Sequence, residues 1–318
     1  MRMELGNMSA NSTEYSISVS DMMQVLFEVI LMVFICTVNT LTLIVVCLNR
    51  NLWTIHNMYI ISLAVADLLT GLSLAYQIVF HIPEIKALLD QNKYLCLCRH
   101  VVFFIMIMAS VTNMVLIAVD RWACIAYPFK YEHLATIPKA GVLIAISWII
   151  GIILGAVPLF LNNWDLRYGC LFFKVLTMEY QVYCQGGTFL LCSIIIAACY
   201  CRIFCIAKRQ RNSINTITTA SNVGTSERRM TKLKKDSELV MMFCVVFVVF
   251  FLCSAPAFIF VVVSYTAGVS KSVNSFTVPI ITINSGMNFF IYVVKNLQFR
   301  AALKATCSNC RTTVVGTS

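Results

Sequence analysis

Asp67 is a carboxylate inside an apolar run, Ser62-Leu63-Ala64-Val65-Ala66-Asp67-Leu68-Leu69. An ionisable side chain at the centre of a membrane helix costs about 2.5–3.5 kcal/mol on insertion scales, so it needs a reason. Other polar groups fall at similar depth in other apolar runs: Asn39, Ser110, Asn284, Ser285 and Asn288. One carboxylate with several hydroxyl and amide oxygens can hold a small hard cation or a chain of waters. The same groups can serve as hydrogen-bond glue between helices, at about 0.6 kcal/mol per bond. The residues alone leave both readings open. A second charged set is Asp120-Arg121-Trp122, at the end of the third apolar run, with Asp236 at the start of the sixth. Adjacent residues point to different helix faces. Arg121 is therefore expected to turn inward and Asp120 to stay near the interface. An Arg121–Asp236 pair would be a breakable latch, the kind of two-state contact a switch needs. The plainer reading is an interfacial anchor. Enzyme chemistry finds little support. The four histidines, His56, His81, His100 and His133, form no H-E-x-x-H spacing.

The elements that must position these residues follow from composition. Of 318 residues, 59% are hydrophobic and 12% charged, against about 25% charged in a soluble domain. Seven apolar runs reach the length of about 20 residues that a spanning helix needs. They are Val25–Leu48, Met58–His81, Cys96–Tyr127, Ala140–Leu161, Tyr180–Ala207, Leu239–Tyr265 and Ser272–Val294. Barrel strands would instead alternate over about 10 residues. The fold expected is an all-α membrane protein: a seven-helix bundle with a short amphipathic eighth helix. Residues 1–24 form a tail, 25–294 the bundle with a polar loop at 208–236, and 295–318 the amphipathic helix and a second tail.

With the N-terminus outside, most of the 24 Lys and Arg fall on the inner side, as the positive-inside rule requires. The net charge of +10 then reads as a belt facing anionic membrane lipid. Nucleic acid is a poor partner for basic residues confined to loops between spans. The first 24 residues lack an apolar core for a cleaved signal. Asn7 and Asn11 open the two N-x-S/T sequences, both in the outer tail, where glycosylation is expected. Cys96 and Cys170 both fall on the oxidising side and can pair, with Cys98 and Cys184 as competitors. After the last span, Phe299 and Leu303 share a face beside Arg300 and Lys304, as an interfacial helix would have them. Cys307 and Cys310 follow as candidates for palmitoylation.

Taken in order, these features resemble the rhodopsin-like G-protein-coupled receptors over nearly the whole chain. The matching residues are Asn39; Leu63-Ala64-Val65-Ala66-Asp67; Cys96; Asp120-Arg121-Trp122 with Pro128; Trp148; Tyr200; Phe250 with Cys253-Ser254-Ala255-Pro256; Asn288-Phe289-Phe290-Ile291-Tyr292; and Phe299-Arg300. Local likeness is to adenosine receptors, in Cys170-Leu171-Phe172 and Cys201-Arg202-Ile203-Phe204. That branch's purine-holding asparagine, histidine and glutamate are Val261, Thr282 and Phe173 here, which points away from adenosine. The span-six tryptophan is Ser254. The prolines of spans five and seven are missing, with Cys192 or Ser193 and Phe289 in their places. Missing breaks imply an altered resting balance.

The resemblance implies a receptor in the plasma membrane with its N-terminus extracellular. Its pocket would be lined by Phe103, Ile107, Phe172, Phe258, Val261, Val278 and Thr282. Phe103 stands where amine receptors carry an aspartate, so a neutral, largely apolar small molecule is expected. The partners implied are that ligand, a heterotrimeric G protein and arrestin. Arg121, Tyr200 and Tyr292 would border the G-protein cleft, and Phe129 would pack on the partner. No cofactor is implied beyond a sodium ion at Asp67 and Ser110 acting as an allosteric modulator. The rival reading is an ion-coupled secondary transporter using Asp67 as its coupling site.

Overall fold

The computed structural model describes residues 19–218, 244–245, 247–266, 277–295 and 297–315. Every long apolar run within them is helical. The first five spans are Val19–Leu48, Ile55–Val79, Lys93–Ala126, Ile137–Ala156 and Gly187–Thr218, the last entered through a π-helical stretch at Glu179–Gly186. The sixth is Phe247–Thr266 and the seventh Thr277–Lys295, followed by a helix at Leu297–Val315. Six are long and apolar enough to cross a bilayer, and the seventh has a shorter apolar stretch, Pro279–Val294.

Capping chemistry sets several boundaries. The Thr54 hydroxyl accepts from the Asn57 N–H, and the Asn92 side chain from the Tyr94 and Leu95 N–H groups, which satisfies otherwise orphaned first-turn donors. Proline opens two short helices, Pro83–Gln91 and Pro128–Leu134, where its missing N–H costs nothing. Neither short helix was expected from the sequence, although both prolines were visible in it.

Lipid tails are as apolar as leucine, so packing between spans depends on close fit and on polar contacts. The third and fourth spans meet at Gly151 and Gly155. A Cβ at Gly151 would lie 2.8 Å from the Ala109 backbone, and one at Gly155 2.5 Å from the Ile105 backbone. Across the same face, the Thr112 hydroxyl donates to the Ser147 carbonyl, and the Trp148 indole to Ser62 Oγ. Ser62 donates in turn to the Asn113 side chain at 2.6 Å, so spans two, three and four are joined at one level.

Some boundaries differ from expectation. The first helix begins at Val19, inside the expected tail of residues 1–24. The polar segment expected to begin at Lys208 is helical through Thr218. Nothing in Cys201–Thr218 breaks a helix, and a 32-residue helix is about 48 Å long, well beyond the roughly 30 Å hydrocarbon core. The polar final turns can therefore continue the helix outside the membrane. The helix after the seventh span runs Leu297–Val315, so it takes in most of the segment expected to divide into a short helix and a tail. Its Phe299 is buried while Arg300 and Lys304 are exposed, the amphipathic division that was expected.

Candidate functional site

Three polar or aromatic zones lie along the bundle: one beside the Cys96–Cys170 disulfide, one at mid-depth and one near Arg121. At the disulfide end the two cysteines bond with Cα atoms 5.6 Å apart. Cys98 and Cys184 are free, which resolves the competition for pairing. The Cys170 N–H donates to Asp90 Oδ1 at 2.7 Å. Gly169 beside it has φ +58, and a Cβ there would meet the Asp90 carboxylate at 2.9 Å. Glycine is the residue that tolerates both demands. The loop so held carries Phe172, whose ring packs edge-on against His100 and Phe104.

Beneath Phe172 lies a cavity with about 50 Å³ open to the centre of a water-sized sphere. Of the residues expected to line it, Phe103, Ile107, Phe172, Phe258 and Val261 do so. Thr282 does not: it is buried, with its hydroxyl donating to the Pro279 carbonyl. The Val278 side chain lies outside the described residues. Lining residues missed by sequence reasoning include the polar Gln185 and Ser254 and the Phe189 ring, which stacks on Phe258 at 4.5 Å. Ser254 carried a signal, because a serine in place of the family tryptophan leaves space. Among the described residues, no charged side chain lines the cavity.

At mid-depth Asp67 is fully buried. The Ser110 hydroxyl donates to its Oδ1 at 2.9 Å and the Asn288 amide to its Oδ2 at 2.7 Å. The Asn39 amide donates to the Ser285 carbonyl at 2.9 Å, tying the first span to the seventh. Asn284 and Ser285 are buried here as well. Two side-chain oxygens in this zone, Asn284 Oδ1 and Asn288 Oδ1, are buried and have no hydrogen-bond partner among the described residues. Spans one, two, three and seven thus meet around one carboxylate, as the sequence led us to expect.

Toward Arg121 the expectation needs correction. Adjacent residues were expected to diverge, with Arg121 turning inward. Instead the Arg121 guanidinium bonds the Asp120 carboxylate through Nε and Nη2. A long flexible arginine can fold back over one turn, which the face argument overlooked. Asp120 also accepts from the Tyr131 hydroxyl at 2.6 Å, and His56 Nδ1 lies 3.8 Å from it. Burial, and then the bond to Asp120, push the Tyr131 hydroxyl above its ordinary pKa. Tyr131 and His56 went unrecognised because the helix that aims Tyr131 at Asp120 was itself unexpected. Asp236 lies outside the described residues, and so do Asn7 and Asn11. The Cys307 and Cys310 backbones lie in the last helix, and their side chains are outside the description. Tyr200 and Tyr292 are buried and border one small void of about 10 Å³. Phe129 is 84% exposed.

Seven helices, a disulfide-pinned loop over an apolar cavity, a buried carboxylate network and an Asp-Arg end define a heptahelical receptor. The family described as 7 transmembrane receptor (rhodopsin family) matches residues 38–292, and the chain belongs to it. Curated relatives include the dog adenosine receptor A2a, 26% identical over 84% of this chain and 67% of its own length. The rat histamine H2 receptor is 27% identical over 93% of this chain and 83% of its own. Human melanocortin receptor 5 is 26% identical over 94% and 89%. The protein is thus a G-protein-coupled receptor for an extracellular ligand. The transporter reading of Asp67 falls. The family and these relatives are receptors, and the second span is one unbroken helix.

Proposed function

We propose that the disulfide end faces outward at the plasma membrane and that the cavity binds a small, neutral, largely apolar ligand. The observation that carries this reading is the lining: among the described residues, aromatic and aliphatic side chains with Gln185 and Ser254 as the polar groups and no charge. A charged amine would leave water for a wall without a counter-ion. A neutral apolar molecule loses little hydration there and gains contact with the Phe103, Phe172 and Phe258 rings. Ligand that fits one conformation better shifts the bundle toward it. The G protein then enters at the Arg121 end, with Tyr200 and Tyr292 beside it and Phe129 presented to the partner. That entry requires Arg121 to leave Asp120.

The donor set at mid-depth fits a sodium ion. Unfilled amide oxygens on Asn288 and on Asn284, one turn before it, accompany a carboxylate and the Ser110 hydroxyl. Hard cations take such oxygens. Asp67 and Ser110 would hold the ion, which would supply positive charge that favours one packing of the spans.

A screen of neutral apolar compounds in cells reporting G-protein activation tests the reading. An agonist should lose potency at least about tenfold in Phe172→Ala, on the scale of one lost aromatic contact. Arg121→Ala should abolish the response at equal surface expression. An agonist that is a charged amine, or one indifferent to Phe172, would overturn it. For sodium, agonist affinity should vary with sodium in the wild type and not in Asp67→Asn.

A further inference from the structure

A third buried carboxylate lies away from the cavity, at the disulfide end of the first span. Glu28 is 2% exposed. Its Oε1 accepts from the Gln24 amide at 2.9 Å. Its Oε2 is buried and has no hydrogen-bond partner among the described residues. His81, just past the second span, places Nε2 3.7 Å from that oxygen. This is too far for a hydrogen bond.

The nearby cation does not fill the gap. Arg99 is held elsewhere: its Nε donates to Gln77 Oε1 at 2.6 Å, and its guanidinium lies 3.9 Å from the Phe80 ring centroid. Among the described residues, His81 is the one group within ion-pair distance of Glu28. A carboxylate oxygen stripped of water and left without a donor costs free energy unless something positive meets it.

We propose that Glu28 and His81 form a binding site for a zinc-class transition-metal ion. Zinc bonds carboxylate oxygen at about 2.0–2.2 Å and imidazole nitrogen at about 2.0–2.1 Å, and a tetrahedral angle puts the two donors roughly 3.4 Å apart. The observed 3.7 Å needs a small opening of that angle or a slight shift of the partly exposed His81 ring. Gln24 fixes the carboxylate from behind, as supporting hydrogen bonds do at metal sites. The His81 side chain is 21% exposed, so the ion has a path from solvent, and water completes its coordination. A bound ion would tie the first span to the end of the second. This site is independent of the ligand cavity.

The test is thermal melting of the purified full-length receptor at fixed neutral pH, titrated with zinc chloride, with magnesium chloride as the control. Zinc should raise the melting temperature to a plateau and magnesium should not, because magnesium disfavours nitrogen ligands. Half-saturation should move at least about tenfold higher in His81→Ala and in Glu28→Gln, the scale on which site residues act. His81→Cys, which keeps a metal donor, should retain the response. Equal zinc responses in wild type and His81→Ala would overturn the site, as would no response in the wild type. A melting temperature that follows pH but not zinc would also overturn it and assign the pair to a proton.

Discussion

Asp67 and Asp120 are both buried aspartates, and they are satisfied in opposite ways. Asp67 takes neutral donors, a serine hydroxyl and an asparagine amide. Asp120 takes a guanidinium and a phenol, with an imidazole beside it. The difference follows depth. At mid-membrane a basic side chain would add its own desolvation cost, whereas near the membrane edge Arg121 can exchange its partner for water. The mid-depth carboxylate is therefore built to stay in place and the edge carboxylate to let go. The first joins four spans, and the second is the contact that the proposed function assigns to the resting state.

Substitutions can break that contrast. The largest effect is expected from Asp67→Ala, which strands the Ser110 and Asn288 donors in a dry site. Two unsatisfied buried groups cost about 1–3 kcal/mol each, so the purified receptor should melt much lower and reach the surface poorly. Asp120→Ala should cost less stability, because Arg121 can find solvent, and should raise ligand-independent signalling. Equal melting losses in the two variants would erase the distinction. The smallest effect is expected from Tyr131→Phe, about 1 kcal/mol for one lost hydrogen bond, with a modest rise in basal signalling. Its pH dependence has a definite sign. A hydroxyl whose folded pKa is raised contributes stability below its unfolded pKa of about 10 and loses it only above that. The melting difference between wild type and Tyr131→Phe should thus be flat from about pH 6 to 9. A difference that vanished within that window would remove Tyr131 from the Asp120 cluster.

Much of this was legible before any coordinates, for a physical reason. Helices in lipid announce themselves by length and hydropathy, and a polar residue in such a run stands out. Hence Asp67, Ser110 and Asn288 could be grouped from sequence, whereas Phe103, Ile107, Phe172, Phe258 and Val261 were placed on one cavity only through the resemblance to the receptor family. Contacts made by connecting segments were not legible. Tyr131 reaches Asp120 because Pro128 starts a helix in a short connection, and no periodicity marks where that helix points. His81 was noted as one of four histidines, and its approach to Glu28 depends on the turn that ends the second span. Arg121 shows a different limit. Helical faces fix where Cα–Cβ bonds point, and a side chain with four torsions can still reverse direction.

The glycine contacts at Gly151 and Gly155 carry a mechanical consequence. With backbone resting on backbone along the third and fourth helices, those two rods have no compressible layer between them and behave as a single post. A side chain at either glycine would collide with the facing Ala109 or Ile105 backbone. Displacement on activation must therefore be borne by the opposite half of the molecule, where bulky aromatic rings such as Phe189, Phe250 and Phe258 can repack as they move.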